Sequence, residues 1–219
     1  MLKLHGFAVS NYFNMVKLAL LEKGVDFEVH VVHPSQEPDF LAISPRGKVP
    51  SLETEHGFVS ETNVILEYIE ETQGGKPLLP KDAFERATVR ALTKEIELYL
   101  ELPARTCHAE VFFGGKVDQQ VKDKAKADLL AGIATLKRHG KFAPYVAGSE
   151  MTIADLMFLY SLDLACAVAK KLFDLDLLAD LPEARVLQAK LAENPNVQKV
   201  EADRNAAMAA FIAAARAKR

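Results

Sequence analysis

The chain has 219 residues, a formal net charge of −3 at pH 7, 49% hydrophobic and 26% charged residues. That length holds one large domain or two small ones, with apolar content enough for a core. Lys and Arg are scattered along it, which argues against a phosphate-reading face and so against nucleic acid as the main partner; the basic tail Arg216-Ala217-Lys218-Arg219 is only four residues long. Leu2 to Leu4 reads as a short strand, followed by a loop from His5 to about Ser10. Val16, Ala19, Leu20 and Lys23 fall at helical spacing, and Gly24 supplies the stop. Phe27, Val29 and Val31 alternate with Glu28 and His30, which predicts a second strand. So short a strand–helix–strand unit implies a parallel pair with a right-handed crossover.

Pro34 to Ile43 is irregular or briefly helical. Val49 to Glu53 and Phe58-Val59 are two further strands about the turn Glu55-His56-Gly57, and a helix runs from about Thr62 to Glu71. This order, β-α-β then β-β-α, is that of a thioredoxin-like domain. Thr72 to Pro80 carries Gly74-Gly75, Pro77 and Pro80 and marks a domain boundary. Everything beyond is helical: Ala83 to about Phe113 with a bend at Pro103, a helix through Val121 to Leu136 that closes near Gly140, and a buried apolar helix that begins at Met151 to Asp155. Shorter helices are expected at Leu172 to Leu178 and Pro182 to Glu193, with Asn194-Pro195 punctuating the end. The domains are therefore 1–75 and 83–219, with a linker at 76–82: an α/β domain followed by an all-α one.

Cys107 and Cys166 form no CxxC pair and no zinc spacing, so a reducing compartment fits. The six histidines are scattered without metal spacing, and no metal is expected. The N-terminus is too polar for a signal peptide, and Asp163 interrupts the apolar run Leu156 to Ala169, so no membrane partner is expected and a cytoplasmic protein is the default.

The most informative stretch is Ser44-Pro45-Arg46-Gly47-Lys48-Val49-Pro50-Ser51-Leu52, with Ser60-Glu61-Thr62-Asn63 shortly after. Val49 precedes proline and is pushed into an extended conformation. With a cis Val49–Pro50 bond its main chain turns outward and can pair with an extended peptide. Glu61-Thr62 opens a helix, and a helix start offers free N–H groups to an anion. Thr152 and Asp155 form a capping-box variant rather than a catalytic pair.

These motifs resemble the glutathione site of the glutathione transferase family, where the pattern is roughly Asn-Pro-x-Gly-x-Val-Pro-x-Leu followed by Glu-Ser at a helix start. The resemblance extends over nearly the whole chain. It implies that the Val49 backbone, beside Pro50, pairs with the cysteinyl part of glutathione. Thr62 would hold the γ-glutamyl carboxylate, Glu61 its ammonium, and Lys48 the glycine end, with Gln36 and Arg46 as weaker candidates there. It implies that Ser10, in serine-type enzymes, donates a hydrogen bond to the sulfur; Asn11 and Tyr12 stay open for the same task. Arg105, His108 and Phe112, with Phe113, are candidates for the electrophile pocket. The resemblance further implies a homodimer and conjugation of glutathione to small hydrophobic electrophiles, a detoxification chemistry. The same site could instead reduce disulfides or peroxides, or isomerise a double bond. Zeta-type isomerases carry Ser-Ser-Cys where this chain has Ser10-Asn11-Tyr12, and beta-type enzymes carry cysteine at Ser10. A non-catalytic binder of the stringent starvation type is the alternative of a different class.

Overall fold

The computed structural model describes residues 1–217; Lys218 and Arg219 of the basic tail lie outside the described residues. Four strands, β1 (Leu2–Gly6), β2 (Phe27–Val31), β3 (Ser51–Thr54) and β4 (Gly57–Ser60), form one sheet in the order β2-β1-β3-β4. The β1–β2 pair is parallel and the others antiparallel. Helices α1 (Asn11–Lys23), α2 (Pro38–Ile43) and α3 (Thr62–Thr72) fill the connections, giving a thioredoxin-like domain.

Strand β1 runs two residues beyond the expected Leu4. His5 pairs with both His30 and Ser51, although a polar residue there looks like loop. The reason lies on that face of the sheet. His5 is buried, with Nε2 2.8 Å from Glu53 and its ring 4.9 Å from His30 and 5.6 Å from Phe58. Lys3 donates to the same Glu53 at 2.7 Å, so the polar residues satisfy one another. The alternation expected in β2 is also modified, because Val29 and Val31 stay exposed on an edge strand.

Among the described residues two compact units emerge: residues 1–78 with 194–214, and residues 79–193 with 215–217. The first therefore includes most of α10 (Pro195–Ala217). Asn194-Pro195 follows the end of the preceding helix at Ala192, as expected, and also starts this one. Asn194 Oδ1 accepts from the Asn196 and Val197 N–H groups, and proline is favoured in a first helical turn. Two sets of polar contacts lay α10 against α1, and a ring contact joins it to the loop before α1. Asn194 and Asn196 donate to Glu22 at 2.8 and 2.9 Å, buried Lys17 meets Asp203 at 2.6 Å, and Phe211 stacks on Phe7. Burial pushes the Glu22 carboxyl up, but hydrogen bonds from Asn196, Asn194 and Lys76 outweigh it and hold it below its ordinary value.

The second unit contains α4 (Ala83–Ile96), α5 (Leu102–Thr106), α6 (His108–Phe113), α7 (Gln119–His139), α8 (Ile153–Phe173) and α9 (Pro182–Ala192). The long segment expected from Ala83 to Phe113 is interrupted by a π-helical turn at Glu97–Glu101, just before Pro103, and again at Cys107. No helix forms at Leu172 to Leu178. Instead α8 runs to Phe173 and is closed by Asp174 in the left-handed region, whose N–H returns to Lys170. No described helix is long and apolar enough to cross a membrane.

The Thr152–Asp155 capping box is present, and Asp155 is fully buried. Its two carboxylate oxygens accept from the N–H groups of Val146 and Thr152, both at 2.8 Å. Replacing Asp155 with Ala removes the cap and strands those buried donors. We expect a loss of about 2–4 kcal/mol in urea unfolding, with activity per folded molecule retained. An unchanged midpoint would refute the assignment.

Candidate functional site

The sheet register gathers the motifs. Ser51 pairs with His5 on one side and Ser60 on the other, and Gly6 pairs with Val31. The chain therefore leaves the sheet at the same end in four places: after Gly6, after Val31, before Ser51 and after Ser60. Those exits carry Ser10, the 33–36 loop, Lys48-Val49-Pro50 and Glu61-Thr62.

Ser10 caps α1 with extended backbone (φ −82°, ψ 120°). Its N–H donates to Phe7 O at 3.0 Å, while its Oγ accepts only a long contact from the Phe13 N–H at 3.4 Å. Acceptance uses a lone pair, so the hydroxyl proton stays available to donate. Asn11 and Tyr12 each already engage another group of the chain. One neighbour went unnoticed in the sequence. Asn14 is fully buried, and its Nδ2 donates to Ala8 O at 2.8 Å, bracing the loop that presents Ser10. The available signal was a polar residue four before Leu18 on a buried helix face.

The Val49–Pro50 bond is cis. Val49 lies outside β3, so its N–H and C=O stand outside the strand ladder. The preceding loop is held from within. Lys48 N–H donates to Ser44 Oγ at 3.1 Å, and Ser35 N–H donates to Gly47 O at 3.2 Å. Gln36 Nε2 donates to the carbonyls of Ser35 and Arg46, at 3.2 and 3.3 Å, which makes it a loop brace. Gly47 has φ +62°, and a Cβ there would lie 2.0 Å from Ser35 O, so no other residue fits. Lys48 and Arg46 are exposed; Pro50 is buried.

Glu61 precedes α3 at φ 69°, ψ 115°, a conformation non-glycine residues rarely adopt. Thr62 follows, buried in the first turn of α3, a turn that holds no acidic residue to compete with an incoming anion. Backbone strain is thus held at the start of α3, at one of the four exits from the sheet. Glu61→Gly should relieve that strain. We expect thermal stability to rise by about 1 kcal/mol while affinity for glutathione falls. A variant less stable than wild type would show that Glu61 is unstrained.

The electrophile-pocket candidates belong to the helical unit. The Arg105 guanidinium lies 2.7 Å from fully buried Glu101, an ion pair within the α5 region. His108 sits against the rings of Phe112 and Phe113, 4.9 and 5.1 Å away. Burial, helped by the Arg105 charge, lowers the His108 imidazole to about 4. The ring is thus neutral at pH 7, and Phe112 is 48% exposed. Because the folded state binds the proton less readily than the unfolded chain, this group's stabilisation is complete above about pH 6.5 and is lost as pH falls toward 4. Solvent screening leaves about 1–2 kcal/mol of that difference. Measured by chemical unfolding, His108→Gln should lose less stability than wild type between pH 6.5 and 4.5; parallel curves would refute the shift.

Among the described residues no group of three His, Cys, Asp or Glu side chains is gathered for a metal. Cys107 is buried and Cys166 partly so, its thiol pushed up to about 11 by burial and the nearby Asp163 charge. Neither is disposed to act as a nucleophile at neutral pH.

The model of the glutathione S-transferase N-terminal domain matches residues 4–77. A glutathione S-transferase of Pseudomonas putida is 64% identical over 212 residues, covering 97% of this chain and 96% of that protein. The maleylacetoacetate isomerase of Methylobacterium extorquens AM1, solved with bound malonate and GSH, superposes with a TM-score of 0.73 at 25% identity, over 92% of this chain and 97% of its own. Glutathione transferase F2 of Populus trichocarpa shares the fold, with a TM-score of 0.80 at 23% identity over 94% and 100%. With its motifs standing on adjoining exits of one sheet, the chain belongs to the glutathione S-transferase family of enzymes.

Proposed function

We propose that the protein activates the glutathione thiol at Ser10 and joins it to a small hydrophobic electrophile. The single observation behind this reading is the convergence of four loop exits at one end of the sheet. The Val49 main chain pairs with the cysteinyl unit. Thr62 and the N–H groups opening α3 receive the γ-glutamyl carboxylate, and Glu61 faces its ammonium. Lys48 and Arg46 are exposed cations for the glycine carboxylate. Gln36, occupied as a loop brace, is the weaker donor there.

The energetics are modest. A free thiol titrates at about 8.5, and lowering it by about two units needs roughly 2.7 kcal/mol. One charge-assisted hydrogen bond from Ser10 Oγ plus the N-terminus of α1 supplies that much. The thiolate then attacks an electrophilic carbon, forming the C–S bond as the leaving group departs with its electron pair. No general base is required. Neutral His108 and exposed Phe112 suit an uncharged, apolar second substrate, while Arg105 is the weaker candidate because Glu101 holds it.

We further propose a cytoplasmic homodimer with a detoxifying task. Exposed Phe58 and Val64 in the first unit, and Leu98, Tyr99 and Leu102 in the second, offer apolar surface for a second copy. Glutathione-dependent isomerisation is the second reading, favoured by the likeness to the maleylacetoacetate isomerase. Against it stands Ser10-Asn11-Tyr12 in place of a Ser-Ser-Cys cluster.

Ultraviolet difference absorbance of bound glutathione across pH tests the thiolate. Wild type should show the thiolate band near neutral pH, and Ser10→Ala, which leaves the N-terminus of α1 in place, should shift its midpoint up by about one unit, with kcat/KM falling about 10-fold. A band unmoved in Ser10→Ala would transfer the role to Asn11 or Tyr12. Glutathione failing to bind at millimolar concentration would overturn the enzyme reading in favour of a protein-binding role.

A further inference from the structure

Asn14 stands near the start of α1 among residues that build the core. Phe13, Met15, Val16 and Leu18 are buried, and Asn14 itself is fully buried. An amide in such a place is costly unless both its ends are hydrogen-bonded. Here one end is paired: Nδ2 donates to Ala8 O at 2.8 Å, whereas Oδ1 accepts from no described residue. An apolar side chain would fill the same space without stranding an acceptor. The amide therefore serves the loop it reaches rather than the stability of the helix that carries it.

That loop is the turn from β1 into α1, and Asn14 grips it twice. Its backbone N–H donates to Ser10 O at 3.0 Å, while its side chain holds the Ala8 carbonyl two residues earlier. The Ser10 N–H returns to Phe7 O at 3.0 Å. The Phe13 ring packs so close to Gly6 that a Cβ there would lie 2.4 Å away. The turn is thus pinned at Gly6, Phe7, Ala8 and Ser10, and at Ala8 the pin is a side chain. The Ser10 hydroxyl receives only the 3.4 Å contact from the Phe13 N–H, so its direction follows the course of the backbone before it.

Resting on the reading of Ser10 given above, we propose that Asn14 is a positioning residue for thiol activation: by holding the Ala8 carbonyl it sets the direction in which the Ser10 hydroxyl donates to the glutathione sulfur. Asn14 is sealed from solvent and touches neither substrate. A hydrogen bond weakens steeply as it is bent. A bond to a charged acceptor is also stronger than one to a neutral acceptor, so misalignment costs the thiolate more than the thiol. Loss of the Asn14 grip therefore appears in the ionisation of the bound thiol and not in the contacts that hold the rest of the tripeptide.

The test is a double-mutant cycle of Asn14→Ala and Ser10→Ala, read by the ultraviolet absorbance of the bound glutathione thiolate across pH. Asn14→Ala should raise the midpoint by about half a unit, and should add nothing in the Ser10→Ala background. Affinity carries the same signature. With thiol midpoints of about 8.5 free and about 6.5 bound, glutathione should bind Asn14→Ala about 2-fold more weakly at pH 7 and about 3-fold at pH 8.5, the gap closing below about pH 6. S-methylglutathione, which has no thiol to ionise, should bind both proteins alike. Asn14→Leu, which fills the space with apolar atoms, carries the same comparison if Asn14→Ala fails to fold. No shift, a shift of equal size with and without the Ser10 hydroxyl, or S-methylglutathione weakened as much as glutathione would overturn the positioning role and leave the transferase standing. A midpoint unmoved by Ser10→Ala itself would overturn the assignment of Ser10 and this proposal with it.

Discussion

Ser51 is the residue on which the rest of the site depends. Its backbone pairs with β1 through His5 and with β4 through Ser60, and its side chain, fully buried, donates to the carbonyls of Ile43 and Val59. A one-residue slip at this point would turn every neighbouring side chain to the opposite face. Leu52 would leave the core, and Val49 would shift by about 3.3 Å relative to the loops that follow Gly6 and Ser60. Fold and function are therefore one constraint here: the ladder that buries Leu4 and Leu52 also sets the loops side by side.

Around that fixed register, rigidity and strain divide the work. Helix α1 is buried over most of its circumference, and its polar members are all engaged: Lys17 with Asp203, Lys23 with Glu70, and Asn14 with the loop carbonyl beside Ser10. The Gly47 loop is likewise tied by its own backbone. Against these anchors Glu61 is held at an unfavourable φ at the start of α3, at the end of the sheet where the other three loops leave it. Anchors of this kind keep donors oriented before a ligand arrives, which lowers the entropy lost on binding. The same anchoring extends to α10, whose polar contacts with α1 accompany the stacking of Phe211 on Phe7, more than 200 residues away in sequence.

What the sequence disclosed and what it hid follow from the range of the forces involved. The Gly47 to Pro50 motif and the Glu61-Thr62 helix start were legible because proline, glycine and cap residues act on their own backbone. The Thr152–Asp155 cap was legible for the same reason. The end of β1 was not, because His5 joins the ladder only through Glu53, His30 and Phe58, which lie elsewhere in the chain. The helix expected at Leu172 to Leu178 failed because Asp174 adopts a left-handed cap that apolar periodicity does not reveal. Asn194-Pro195 is legible as the stop after α9; that it also opens α10 follows from proline serving equally well in a first turn. Phe211 meets Phe7 through tertiary contact alone and carried no local signal of it, whereas Asn14 showed only as a polar residue on a buried helix face.

The most direct test of the account is a crystal structure of the protein with glutathione bound. The account predicts the cysteinyl main chain paired with Val49, the γ-glutamyl carboxylate on Thr62 and the N–H groups opening α3, and the sulfur within hydrogen-bonding distance of Ser10 Oγ. Glutathione bound away from the end of the sheet where these loops meet would contradict the account at its root. A sulfur resting on Asn11 or Tyr12 instead would contradict the task assigned to Ser10.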